Sequence, residues 1–340
     1  MSTDLLPLPG PTVGVSWPTD EWPRGADVDG VPGVADLLFA PTREAELGRG
    51  LALVVVHRGR LVHERYGADT DADTTLISWS MAKTVTAMLV GIAVRDGLLD
   101  PSAPAPVPEW ADDDRRAITL DDLLRMRSGL RFTEDYVDAE TSDCIEMLFG
   151  GGRDDVGAYA VARPAAHRPG AVWSYSSGET NIICRILRDV LGGPDAVEAF
   201  ARSELLDPIG ATSMSLRTDA AGTFVGSSFA YATARDFARL GLLLLRDGVW
   251  DGRRVLPDGW VDAMRTTHAT APEHGLGNGR QTWTVPDGRG TFRMNGYEGQ
   301  RVICSPSTDT IVVRLGVTPI ELAPAMDAVL ERVLTLTEAV

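Results

Sequence analysis

The sequence predicts an α/β fold of the α+β type: one antiparallel sheet built from the two ends of the chain, flanked by helices, with an inserted, mostly helical lobe. Three observations carry this. Strand-like runs occur near the N-terminus, in "LALVVVHRGRLVHERYG" (51–67), and again after residue 280. The stretch between them is dominated by apolar residues at helical spacing. Helix-patterned segments stand just after the first strands and at the C-terminus, where both can cover a shared sheet.

Taken in order, residues 1–30 are rich in Pro, Gly and Asp and read as an extended lead-in. Residues 51–67 hold two β-rich runs around Arg58-Gly59, a hairpin. From 80 to 96, Met81, Val85, Met88 and Ile92 recur at helical spacing, and Gly97 falls at the C′ position. "DPSAPAPVPEW" (100–110) cannot continue that helix. In "TLDDLLRMRSGL", Thr119 is an N-cap. "GETNIICRILRDVLGG" lines Ile182, Ile183, Ile186, Leu187 and Val190 along one face, and "TARDFARLGLLLLRDG" is a second amphipathic helix. "GLGNGR" (275–280) lacks the strand–turn–helix setting of a dinucleotide site and reads as a flexible loop. "QTWTV", "TFRMNGY", "QRVICSP" and "TIVVRLG" then read as strands, and a last helix stripes Leu322, Met326, Val329, Leu330 and Val333. The expected division is a lead-in (1–30), a sheet domain (31–100 with 236–340) and an inserted helical lobe (101–235).

The 340 residues carry 48 acidic against 32 basic side chains, a net charge of −16. That sign disfavours nucleic acid and anionic membrane as partners. No apolar run reaches bilayer length and no secretory leader is visible, so a cytoplasmic location is expected. Cys144, Cys184 and Cys304 are far apart and read as buried free thiols. The five histidines form no metal-spaced pair, and no metal or organic cofactor is expected.

"ISWSMAKTVTAMLVGIAV" (77–94) places Ser80 and Lys83 on one side of a helix start. A serine becomes a useful nucleophile when a base takes its proton, and a desolvated lysine can be that base. Lys83 is the one charge in this apolar helix, so it either snorkels outward or is buried for a purpose. Tyr175, in "PGAVWSYSSGETN", sits in a turn before a helix: either an aromatic packed at a helix entry, or a phenol that shares a proton with a lysine. "RMNGYEGQRVI" interrupts a strand pair with Gly296 and Gly299, which marks a turn or lets a ligand approach the backbone. No G-x-S-x-G elbow is present, which argues against an α/β-hydrolase.

In these motifs and their order the chain resembles the serine β-lactamase and penicillin-binding-protein-like hydrolases: Ser-x-x-Lys as "SMAK" (80–83), the tyrosine element as "YSS" (175–177) and the strand motif as "YEG" (297–299). "SWSMAKTVTAMLVGIAV", "LLRMRSGLRFTEDY", "WSYSSGETN", "FVGSSFAYATARDFARLGLLLLRDGVWDG" and "GYEGQR" look more closely like the branch that holds 6-aminohexanoate-dimer hydrolases and related esterases. The resemblance implies a β-lactamase/transpeptidase-like fold and chemistry through an acyl-enzyme. By the same resemblance Ser80 is the nucleophile, Lys83 its general base and Tyr175 the proton carrier for the leaving group. The oxyanion hole would be the backbone N–H of Ser80 and Gln300. Tyr136, Ser177, Tyr297 and Gly299 would border the substrate, Tyr136 on a loop that closes over an amide.

Two departures bear on the substrate. Ser177 stands where many relatives have asparagine. Tyr297 replaces the lysine with which β-lactamases attract the carboxylate of penicillin-like substrates, which argues against an efficient β-lactamase and leaves amidase or esterase chemistry intact. The expected partner is a small amide or ester, with no nucleic acid and no membrane; a homodimer stays open as an alternative to the single chain. The other readings are a carboxylesterase or D-amino-acid peptidase of the same fold, or a non-catalytic sensory or binding module. Ser80, Lys83 and Tyr175 standing together argue against the last.

Overall fold

The computed structural model describes residues 5–339. Its main sheet is antiparallel and eight-stranded, in the order β2-β1-β13-β12-β11-β10-β9-β8. The first hairpin is β1 (Arg49–His57) and β2 (Arg60–Tyr66), turning at Arg58-Gly59, both in the left-handed region. The C-terminal strands are β11 (Phe292–Gly296), β12 (Gln300–Ser305) and β13 (Thr310–Val317). Short strands β8 (Ala269–Thr270), β9 (Gly277–Asn278) and β10 (Trp283–Thr284) complete one edge. The two ends of the chain meet where β1 pairs with β13, Val54 opposite Val313.

This sheet is covered on both faces, which is why β1 reads as a continuous apolar run rather than an alternating one. Ala52, Val54 and Val56 pack with Ile311, Val313 and Leu315 in the larger core. Leu53 and Val55 point the other way, against Val312, Ile303 and two helices, α1 (Val31–Phe39) and α11 (Ala323–Glu338). Burying each such Val or Leu contributes about 1.5–3 kcal/mol.

The remaining helices are α2 (Glu44–Leu47), α3 (Ala82–Arg95), α4 (Leu120–Leu124), α5 (Asp143–Phe149), α6 (Val156–Val161), α7 (Ser177–Leu191), α8 (Ala196–Ala201), α9 (Ala234–Leu245) and α10 (Trp260–Arg265). Helix α4 starts on a capping box, Thr119 accepting from the Asp122 N–H while Asp122 accepts from the Thr119 N–H. Helix α7 starts at Ser176 and stops at Gly192, which takes φ 103°. Between residues 101 and 235 helices outweigh strands, but turns and irregular chain take up more than half of the segment, which also holds β4 (Ser215–Leu216) and β5 (Ala230–Ala232). Strand β5 lies between β4 and β3 (Leu76–Ile77), the strand leading into Ser80, and pairs with both. A hairpin of β6 (Val249–Trp250) and β7 (Arg253–Arg254) follows α9.

The expectation of a flexible loop at "GLGNGR" is corrected. Gly277 and Asn278 form β9, and a Cβ at Gly279 would lie 1.9 Å from the Met264 carbonyl. Gly277 and Gly279 are there for close packing, and Gly275 for its left-handed φ of 71°. All three cysteines are buried and unpaired.

Candidate active site

Helix α3 is buried on every side from Ala82 to Ala93, because it runs through the larger core with α7 packed against it. Lys83 in its first turn has no route to water: it is 2% exposed. Snorkelling is therefore ruled out, and its ammonium hydrogens must be met inside the protein. They are. Nζ donates to Ser80 Oγ at 3.1 Å, to Ser177 Oγ at 2.9 Å and to the Ser227 carbonyl at 3.0 Å. Lys83 is also the sole lysine in the sequence; every other basic side chain among the 32 is arginine.

Each acceptor is held by a different element. Ser80 lies in a tight 3₁₀ turn, Trp79–Met81, ahead of α3. Ser177 is the first residue of α7. The Ser227 carbonyl is oriented through its own N–H, which donates to Asn181 Oδ1 on α7 at 3.2 Å. Tyr175 precedes the Ser176 cap of α7, and its ring is stacked on Trp283 at 5.3 Å and lies 4.9 Å from Lys83 Nζ. Burial raises the pKa of its phenol, while the Lys83 charge and its nearness to the Ser80 hydroxyl and Lys83 pull the other way. So Ser80 and Lys83 from one stretch of the chain, and Tyr175 and Ser177 from another, meet at one point.

One member of this cluster was not anticipated. Glu134 accepts from the Ser177 N–H and the Ser177 hydroxyl, both at 2.7 Å, and from the Tyr136 hydroxyl at 2.8 Å. The carboxylate thus sits at the amide end of α7, where the helix dipole favours negative charge. It is one hydroxyl removed from Lys83. Burial and the Glu134 charge push the Tyr136 phenol well above its ordinary pKa, so it stays a neutral donor. Its ring packs on Tyr297 at 5.4 Å, and Tyr297 packs edge-on against Trp79 at 5.7 Å.

The strand motif needs two corrections. Gln300 does not offer a free N–H: that group donates to the Tyr297 carbonyl and closes the turn Tyr297–Gly299. Its side chain is also engaged, donating to the Gly316 carbonyl at 2.7 Å and accepting from the Gly316 N–H at 2.9 Å. Gly299 does not border the substrate either. It is buried at φ 78°, and a Cβ there would meet Arg314 Nη1 at 2.7 Å on the far side of the sheet. The first amides of such a turn find no partner inside it; Tyr297 opens this turn, and Ser80 lies in the turn before α3. Gly296 brings the two turns together, since a Cβ on it would stand 2.2 Å from the Ser78 carbonyl.

Around this centre His274 packs on Trp283 at 5.0 Å, and burial lowers its pKa. His268 is pushed down to about 4 by burial and by nearby arginines. Both are neutral imidazoles at pH 7.

A family model described as Beta-lactamase matches residues 36–323. The chain is similar to the 6-aminohexanoate-dimer hydrolase of Paenarthrobacter ureafaciens, 25% identical over 287 residues that cover 79% of this chain and 72% of that protein. Among solved structures it shares the fold of a Bacillus anthracis protein provisionally named a 6-aminohexanoate-dimer hydrolase. The TM-score there is 0.77 at 20% identity, over 98% of this chain and 89% of that one. It also shares the fold of a D-stereospecific amidohydrolase from Streptomyces sp., with TM-score 0.65 at 17% identity, over 86% of this chain and 97% of that one.

Proposed function

The chain belongs to the beta-lactamase family, and from that we propose a serine hydrolase that cleaves a small linear amide or ester through an acyl-enzyme. The observation that carries this reading is the 3.1 Å contact between Ser80 Oγ and a lysine that is buried and surrounded by neutral acceptors. Thirty-one cations of this chain are arginines, which cannot give up a proton. The one lysine stands beside the serine.

The three partners of Lys83 suit both states that a general base must pass through. As an amine it accepts from the Ser80 hydroxyl and donates to Ser177 Oγ and the Ser227 carbonyl. As an ammonium it donates to all three. Proton transfer from Ser80 therefore leaves no buried hydrogen-bonding group stranded, since the Ser177 hydroxyl passes its own hydrogen on to Glu134.

In acylation Ser80 Oγ attacks the substrate carbonyl as Lys83 takes its proton. The oxyanion is met by the N–H of Ser80 and, in place of Gln300, the N–H of Tyr297. Tyr175 hands the proton on to the departing amine or alkoxide. Water then attacks the acyl-enzyme with the same groups in the reverse roles. The name of the curated relative supports a 6-aminohexanoate-oligomer-like amide as the substrate class.

The test is a fluorophosphonate probe followed by mass spectrometry, with assays on a linear amide dimer, a short-chain ester and nitrocefin. Labelling at Ser80 that disappears in Ser80→Ala, with turnover of amide or ester above nitrocefin, is expected. An unlabelled Ser80 would favour the non-catalytic reading.

A further inference from the structure

We propose that Glu298 is a positioning residue for the oxyanion hole, acting through the indole of Trp79; this rests on the assignment of the Ser80 and Tyr297 amides above. Trp79 Nε1 donates to Glu298 Oε2 at 3.1 Å across 219 residues of sequence. Trp79 directly precedes Ser80, and Glu298 directly follows Tyr297. Among the described residues it is the one side-chain hydrogen bond between the turn Trp79–Met81 and the turn Tyr297–Gly299.

Both residues hold a backbone that side chains disfavour. Trp79 has φ 44° and Glu298 has φ 57°. A bulky residue in the left-handed region is an outlier, and such strain persists where its surroundings over-determine it, commonly at functional sites. The surroundings here are plain. The Glu298 carbonyl accepts from the Thr318 N–H at 3.0 Å and from Arg314 Nη1 at 3.1 Å, which anchors the second turn to the sheet. Ser78, just before Trp79, donates its N–H to the Ala230 carbonyl of β5 at 2.8 Å, which anchors the first turn to the other small sheet.

The two amides thus come from turns that pack together at Gly296 but hydrogen-bond to different sheets, and they must converge on one oxygen within about 3 Å. The Trp79–Glu298 bond spans that seam. Its carboxylate is occupied by an indole rather than by substrate, and a negative charge has no direct use near a developing oxyanion. What the bond supplies is distance. A neutral acceptor of the same shape serves equally well.

The test uses full-length Glu298→Gln, Glu298→Ala, Glu298→Gly and Trp79→Phe. The readouts are kcat and KM on a p-nitrophenyl ester, the rate of fluorophosphonate labelling at Ser80, and thermal melting. Glu298→Ala and Glu298→Gly are expected to lose about tenfold or more in kcat and in labelling rate with KM little changed. Glu298→Gln stays within about threefold, because its amide oxygen still accepts from the indole. Glycine suits φ 57°, so Glu298→Gly melts no lower than Glu298→Ala, which separates lost positioning from lost folding. Trp79→Phe reproduces the loss, and Glu298→Ala added to it changes little more. Wild-type activity in Glu298→Gly, or equal damage in Glu298→Gln and Glu298→Ala, would overturn the positioning role alone. A wild-type chain that neither labels at Ser80 nor turns over ester would overturn the hydrolase reading and this one with it.

Discussion

Lys83 donates a hydrogen bond to the Ser177 hydroxyl at 2.9 Å, and that hydroxyl in turn donates to Glu134. The serine is therefore a directional link: it can feel the carboxylate on one side and the ammonium on the other. Replacing it by alanine strands a buried N–H and cuts Lys83 off from Glu134, a loss of about 1–3 kcal/mol. Ser177→Ala is expected to lower kcat roughly tenfold to a hundredfold on an ester substrate. Glu134→Gln should matter in the wild-type background and add little in Ser177→Ala. Equal effects in both backgrounds would mean that Glu134 does not act through Ser177.

Lysine and arginine are expected to differ completely at position 83. Lys83→Arg keeps the charge but cannot serve as a base, so it should be as inactive as Lys83→Ala, each down by about 10²–10⁴-fold in p-nitrophenyl ester hydrolysis. Circular dichroism and melting are expected to show both variants folded. A Lys83→Arg enzyme with substantial turnover would show that positive charge, rather than proton transfer, is what the site needs.

The Tyr136 hydroxyl, fixed by Glu134 at 2.8 Å, should discriminate between leaving groups. An amine leaves only after its nitrogen is protonated and hydrogen-bonded, whereas p-nitrophenolate leaves without help. Tyr136→Phe should therefore cost about tenfold more on a linear amide than on the ester. Equal losses on the two substrates would reduce Tyr136 to a packing residue.

Much of this site was legible because its parts obey local rules. Ser80 and Lys83 are three residues apart, and Ser176 and Thr119 are ordinary caps; each could be read within one helical turn. Strand β1 was readable because a run of "LALVVV" suits a strand buried on both faces. Glu134 was not readable. It stands among Asp135, Asp138 and Glu140, a stretch that looks like a solvated acidic loop, and only the tertiary fold brings it to Ser177, 43 residues away. The oxyanion donor proposed above lies three residues from the one expected, for a related reason. Whether a turn uses its last amide internally depends on the φ of Glu298, which no letter pattern encodes. Strands β4 and β5 are two and three residues long, too short for any periodicity to show.

Glu179 gives the fold a dependence on pH that can be worked out in advance. It lies on α7, 3% exposed; Ser128 donates to its Oε1 at 2.6 Å, while Oε2 has no partner among the described residues. A buried oxygen without a donor is tolerable in the acid and costly in the anion. Burial accordingly lifts this carboxyl to about 8, the Ser128 bonds pulling partly back. In the unfolded chain it titrates near 4.3. Between about 4.3 and 8 the folded chain keeps a proton that the unfolded chain has lost, so this group makes stability fall as pH rises, by about 1.4 kcal/mol per unit. Below that window both states are protonated, and above it both are ionised, so the slope vanishes at either end. Glu179→Gln is neutral throughout and should lose this slope, its stability relative to the parent rising up to about pH 8 and holding level above it. Urea unfolding of both proteins from pH 5 to 9 measures it. Parallel curves would mean that Glu179 is ionised in the folded chain at neutral pH, with a donor reaching Oε2 from solvent.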